Sequence, residues 1–263
     1  MTATALARPT NIAPLKGRNI IAVASGKGGV GKTFFSITLT HALSRMGRSS
    51  LLFDGDLGLA NVDIQLGLMP KRDIGSVVDK RTSLQSAVET FRDGGFDVVA
   101  GRSGSGNLAN LTVQRLNELR GDIEDVATSY DTVVIDLGAG VDRTVRQLSF
   151  NAGLTLVVTT DEPTSLTDAY AFIKVAHATN PGADLRVVVN MTSSMREGQR
   201  TYETIQKACQ NFLKFSPPLA GIIRRDNKVR DAIRSQSPLL IRSPNCDAAN
   251  DVRALAGKLF ARA

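Results

Sequence analysis

Eight residues near the N-terminus, Gly26-Lys27-Gly28-Gly29-Val30-Gly31-Lys32-Thr33, carry more chemistry than any other stretch of the chain. Gly26, four residues, then Gly31-Lys32-Thr33 is the spacing of a loop that cradles a polyphosphate. Glycines let backbone N–H groups approach the anion where a Cβ would clash or forbid the needed dihedrals. At this spacing Lys32 contacts the β- and γ-phosphates and the Thr33 hydroxyl ligates Mg²⁺. Lys27 is a second cation inside the loop. The positive end of the helix that follows faces the same anion.

Gly26, Gly28 and Gly31 also spell G-x-G-x-x-G, and Asp54 then stands near the place of a ribose-binding acid in a dinucleotide fold. Lys32-Thr33 argues against that alternative, because a pyrophosphate held by amides alone gives the lysine no task. A second carboxylate argues further. Thr132–Asp136 is an apolar run ending in an acid, as the strand that supports a Mg²⁺ shell does. Asp54 and Asp56 follow another apolar run in the same way.

These residues need elements to position them. Asn19–Ser25 is a short apolar run suited to a buried parallel strand, and Thr33–Met46 has helical periodicity and stops before Gly47. Further apolar runs at 51–53, 98–100, 132–135, 155–159, 186–189 and 219–223 alternate with helix-like segments. That order predicts an α/β fold: a mostly parallel sheet in three layers, with helices on both faces. Residues 71–96 are mixed and polar and read as short helices over one edge.

At 263 residues and 42% hydrophobic, the chain suits a single domain with one sizeable core. No stretch of about 18 apolar residues exists, so no helical span is expected. Residues 1–18 hold two prolines, three basic side chains and no apolar core of a leader, and read as a flexible tail before a domain over 19–263. Cys209 and Cys246 lie outside any C-x-x-C spacing, which points to free thiols in a reducing, cytoplasmic setting. His41 and His177 read as ordinary helix residues.

The net charge of +7 is unevenly placed. From residue 186 onward there are 14 Lys/Arg against 6 Asp/Glu. Arg224, Arg225, Lys228, Arg230 and Arg234 crowd into 11 residues, and a helix over 226–235 would set Arg230 and Arg234 one turn apart on one face. Such a patch can hold DNA non-specifically, meet an acidic protein surface or anionic lipid, or remain a solvated face.

The doubled lysine of GKGGVGKT resembles the deviant Walker-A ATPases that include MinD and ParA. So do Leu-Leu-Phe-Asp-Gly-Asp-Leu-Gly-Leu-Ala-Asn-Val-Asp at 51–63, Val-Ile-Asp-Leu-Gly-Ala-Gly at 134–140 and Thr-Thr-Asp-Glu-Pro-Thr-Ser-Leu-Thr-Asp-Ala-Tyr at 159–170. The last two, with Pro-Asn-Cys-Asp-Ala at 244–248, are most similar to the flagellar-number regulators FlhG and FleN. The resemblance runs over residues 19–263 and implies a P-loop NTPase fold, ATP and Mg²⁺ as ligands, and a homodimer formed with ATP. It implies that Lys27 reaches the partner subunit's phosphates, that Asp56 orients or deprotonates the attacking water, and that Asp54 supports Mg²⁺ from its outer shell with Asp136. Gly138 would sense the γ-phosphate through its amide, and Asn190 would read the adenine edge. The implied ATP site is thus Gly26 to Phe34 with Gly138 and Asn190, and the implied metal set is Thr33, Asp54 and Asp136. Regulation of flagellar number or placement through a transcription activator or a placement GTPase follows, with recruitment to a cell pole or the membrane. The alternatives within the family are a ParA-like positioning ATPase on DNA and a MinD-like division-site regulator.

The chain departs from that pattern in four places. Phe34 stands where a second small hydroxyl is usual, and Arg224-Arg225-Asp226 where relatives show proline before an acid. The tail lacks the segment by which some FlhG proteins stimulate a partner GTPase. Residues 251–263, with Val252, Leu255, Leu259 and Phe260 on one face, match the last core helix by position rather than an added membrane helix.

Overall fold

The structure, a computed structural model, describes residues 17–101, 111–150 and 152–260; the expected tail, apart from residues 17 and 18, lies outside them. Eight strands form one sheet: β1 Ile20–Ser25, β2 Ser50–Gly55, β3 Glu89–Phe91, β4 Phe96–Val99, β5 Thr132–Ala139, β6 Leu154–Thr159, β7 Leu185–Thr192 and β8 Leu219–Arg224. Their order is β3-β4-β2-β5-β1-β6-β7-β8. All neighbours are parallel except β3, which runs antiparallel to β4. All seven apolar runs of the sequence form strands.

The helices are α1 Lys32–Arg45, α2 Val62–Leu66, α3 Ile74–Val78, α4 Leu84–Ala87, α5 Val113–Ala127, α6 Arg143–Ser149, α7 Pro163–Thr179, α8 Met195–Leu213, α9 Asn227–Arg234, α10 Leu239–Arg242 and α11 Asp247–Phe260. Side-chain alternation divides the core in two. Ile20, Ala22 and Ala24 of β1 meet the layer containing α5, α7 and α8, while Ile21 and Val23 meet α1 and α11. Because both faces are covered, neither side of the central strands can be polar, and this produces the unbroken apolar runs.

The segment 71–96 holds the expected short helices, α3 and α4, each capped by a side chain (Asp73 on Ser76 N–H, Ser83 on Ser86 N–H), and also the unexpected edge strand β3. The final helix begins four residues earlier than its apolar stripe indicated. Val252 and Leu255 are fully buried, and Leu259 and Phe260 pack on the same core. As its position indicated, the stripe belongs to the last core helix, with its apolar face packed on β8 and α1. No described helix is long and apolar enough to cross a membrane. His41 lies in α1, and His177 in α7 stacks on Phe215.

Candidate functional site

The glycine loop leaves the carboxyl end of β1, the central strand, and turns into α1. Gly29 and Gly31 adopt φ of 80° and 86°, left-handed values that a Cβ disfavours. A Cβ on Gly31 would also lie 2.5 Å from Asn190 Nδ2, and one on Gly26 would lie 2.0 Å from the Asp168 carbonyl oxygen of α7. Gly28 and Gly29 face open space. The loop is therefore pinned at Gly26 and Gly31 and open between them. It borders a cleft of about 760 Å³ lined also by Lys32, Thr33, Phe34, Asp56 and Gly138.

Lys32 is only 9% exposed. Burial depresses its ammonium, and Asp136 and then Asp56 counter that. Asp136 is buried beneath the loop, accepts the Ser36 hydroxyl at 2.9 Å and is also bonded by the Thr33 hydroxyl. Burial pushes its carboxyl up to about 6, against the pull of Thr33, Lys32 and Ser36. A cationic pocket opening on a cleft, with a hydroxyl and a carboxylate at its floor, fits a Mg²⁺-bound triphosphate.

Asp54 pairs in register with Asp136 across β2 and β5. Its oxygens accept backbone N–H groups of Asp56 (3.2 Å), Asn61 (3.2 Å) and Val62 (3.1 Å). Burial first, then the neighbouring Asp136, push its carboxyl up to about 8. Both oxygens are engaged by the loop 56–62, so in this structure Asp54 anchors that loop at the start of α2. Asp56 faces the cleft at the head of the same loop and accepts Leu59 N–H at 3.0 Å. Gly138 stands opposite: a Cβ there would meet Asp56 Oδ1 at 3.4 Å. The Gly140 N–H to Ser25 carbonyl bond, 2.9 Å, ties the end of β5 back to the loop.

Lys27 is placed differently from Lys32. Its side chain is 37% exposed, and its ammonium meets Glu162 Oε2 and Thr164 Oγ1, both at 2.8 Å and both in its own chain. Residue types and spacing do not assign these partners, although both fall in the 159–170 block that carries the resemblance.

Asn190, 2% exposed, donates from Nδ2 to the Val30 carbonyl at 2.9 Å. One of its amide hydrogens thus fixes the glycine loop. Asn190 also borders a second, adjoining space of about 350 Å³ with Met191, Arg225, Asn227, Val229 and Arg230. Met191 has φ of 58° where the β7–β8 register slips between Val189 and Thr192. That bulge sends the end of β7 into the cleft, a common use of bulges beside sites. Nothing in the residue types announced it.

The basic run divides in the structure. Arg224 gives its N–H, Nε and Nη2 to the Asp251 carboxylate at 2.8–3.0 Å and its Nη1 to Asp247 at 2.9 Å. Asp226 caps α9 by accepting Lys228 N–H at 2.9 Å. Arg225, Lys228, Arg230 and Arg234 are exposed, and α9 sets the last two one turn apart as expected.

Residues 21–239 match the CobQ/CobB/MinD/ParA nucleotide binding domain. The chain is 36% identical over 240 residues to the antiactivator FleN of Pseudomonas aeruginosa, covering 91% of this chain and 85% of that protein. It is 30% identical over 243 residues to the flagellum site-determining protein YlxH of Helicobacter pylori, covering 92% and 82%. Among solved structures, the septum site-determining protein MinD of Pyrococcus horikoshii, complexed with Mg-ADP, superposes with a TM-score of 0.78 at 23% identity, covering 92% of this chain and 96% of that one.

Proposed function

The chain belongs to the CobQ/CobB/MinD/ParA nucleotide-binding family, and on that premise we propose that it is an ATP-driven dimerisation switch that sets flagellar number or placement through partner proteins. It is a Mg²⁺-dependent ATPase. The similarity to FleN and YlxH supports the flagellar assignment, and the partner is a flagellar transcription activator or a placement GTPase.

The placement of the two lysines carries the switch reading. Lys32 lies under the glycine loop and binds β- and γ-phosphate oxygens of its own nucleotide. Lys27 is partly exposed and held by Glu162 and Thr164 of the same chain. When two copies face each other across their clefts, Lys27 exchanges those partners for the phosphate oxygens of the other subunit. A cation brought in this way stabilises charge that grows in the transition state, an effect worth about 10³–10⁵ in rate for arginine fingers. The Thr33 hydroxyl, with Asp136 behind it, would hold Mg²⁺, which would supply charge that neutralises the triphosphate. Asp56 orients the attacking water, Asp54 fixes the loop that carries Asp56, and the Gly138 amide senses the terminal phosphate. ATP then drives dimerisation only by binding the dimer better than the monomer.

Sedimentation of the purified protein with Mg²⁺ tests this reading: a dimer with ATP and a monomer with ADP are expected, and an identical mass in both would refute it. Lys27→Ala is expected to bind ATP yet stay monomeric, and wild-type turnover in that variant would rule out a trans-acting lysine. Asp56→Ala should dimerise with ATP while turnover falls at least about a hundredfold, the usual scale for losing a positioned base.

A second reading has its own support. Arg225, Lys228, Arg230 and Arg234 form an exposed basic surface suited to phosphate backbones. A ParA-like protein would retain DNA only with ATP, with affinity falling steeply as salt rises. DNA retention equal in ADP and ATP would remove this reading.

A further inference from the structure

Helix α6 has two working faces. Thr144 and Val145 line the nucleotide cleft. Arg143, Arg146 and Phe150, immediately after the helix, line a separate groove shared with Val113 and Arg120 of α5. The groove is basic. Among the described residues no carboxylate bridges Arg143, and Arg146 gives its Nε–H to the Asp142 carbonyl at a long 3.4 Å. Arg120 reaches Glu124 only at 3.9 Å, the loose limit of an ion pair. The groove is also apolar: Phe150 is 45% and Val113 44% exposed, although both sit amid charged side chains. Beside Phe150, between α6 and α7, a cavity of about 30 Å³ is lined by Val141, Phe172, Val175 and Leu185.

We propose that this groove docks an acidic segment of a partner protein. Its carboxylates meet the guanidiniums of Arg120, Arg143 and Arg146, and one aliphatic side chain enters the cavity beside Phe150. Arginine forks match carboxylates bidentately, which makes the charge pairing directional. The cavity admits the tip of a branched aliphatic chain and is too small for a nucleobase. A single exposed aromatic ring is also a poor stacking track for a nucleic acid. The chain's own undescribed segments do not supply the chemistry, since residues 1–16 and 102–110 contain no Asp or Glu. Because α6 borders both groove and cleft, docking and nucleotide binding change each other's affinity by the same factor. This linkage rests on the switch reading above; the docking itself does not.

The test uses the full chain without nucleotide as target for a phage library of random dodecapeptides, depleted on the Arg143→Glu/Arg146→Glu variant. Selected peptides are expected to be rich in Asp and Glu around a Leu, Ile or Val. The synthetic consensus, read by fluorescence anisotropy, should lose at least about tenfold in affinity with that variant and with the milder Arg143→Gln/Arg146→Gln. Phe150→Ser should cost at least about threefold, with the thermal melt unchanged in each case. Peptides with no acidic bias, or equal binding by the variants, overturn the proposal. It is also overturned if a dT20 oligonucleotide or phosphatidylglycerol vesicles bind the same arginines more tightly than the peptide. Self-association without nucleotide that the same substitutions abolish would assign the groove to a second copy and overturn it equally. With the peptide in hand, affinity should differ at least about threefold between ATP and ADP; equal affinity removes the linkage and leaves docking standing. Failure of ATP-driven dimerisation in sedimentation would instead remove the switch reading alone.

Discussion

At the phosphate end of the cleft Lys32, Asp54 and Asp136 are all buried, and each meets a partner from a different strand or loop. At the Asn190 end Arg225, Lys228 and Arg230 are exposed, and the side-chain contacts are the Arg224 clasp on Asp251 and the Asp226 cap of α9. The first end is built of backbone turns and buried ionisable groups, the second of exposed cations around one pair that joins partly exposed Arg224 to buried Asp251. Buried charges cannot move without a large penalty, so the phosphate end is held to one arrangement. Exposed cations such as Arg225, Lys228 and Arg230 can be re-paired at little cost. The proposed phosphate contacts fall on the rigid end, and of the departure at Arg224-Arg225-Asp226 from the family pattern only Arg225 is exposed.

Three substitutions probe that contrast, the largest effect first. Gly31→Ala places a Cβ at a left-handed residue and against Asn190 Nδ2, so it should move the loop itself. ATP affinity by titration calorimetry is expected to fall at least about a hundredfold, since strain at such a position costs about 1–3 kcal/mol before any lost phosphate contact. Near-normal affinity would mean that the phosphate end is not rigid.

Asn190→Ala joins the two ends, because Asn190 both holds the Val30 carbonyl and borders the second space. ATP affinity should fall about tenfold, the equivalent of one lost bond in a buried site. Comparison with GTP separates its two tasks. A larger loss for ATP supports the adenine-reading role, and an equal loss would leave Asn190 as a loop anchor only.

Asp251→Asn loosens the Asn190 end alone. It removes the charge that Arg224 grips through three N–H groups, and Arg224 is partly solvated, so a loss of about 1–2 kcal/mol is expected in chemical denaturation. Affinity for inorganic tripolyphosphate should be unchanged. A drop there would show that the two ends are coupled through β8.

Much of this was legible in the residues. The parallel strands declared themselves because both their faces are buried. Asp54 and Asp56 did so because a carboxylate closing an apolar run marks the carboxyl end of a strand, where open α/β sheets gather their ligands. Asp136 was expected to close its strand in the same way, but β5 continues to Ala139. The edge strand β3 was not legible: Glu89-Thr90-Phe91 is three residues long and buries only its last side chain. The β7 bulge was hidden for a different reason. Met191 has no intrinsic preference for φ of 58°, and only the slipped pairing with β8 puts it there.

The sequence by itself determined the glycine cradle and the parallel sheet, and it named Asp56 of the cleft-lining acids but not Asp142. Those features depend on local backbone freedom and on periodicity, which neighbouring residues encode. Tertiary structure alone decided that Lys27 is clasped by Glu162, 135 residues away, while Lys32 is buried over Asp136. It alone decided that Asn190 secures the loop 160 residues before it and that Asp54 spends its oxygens on the loop 56–62. A side chain's partner is set by what the folded sheet brings beside it, and neither residue type nor spacing carries that information across such distances.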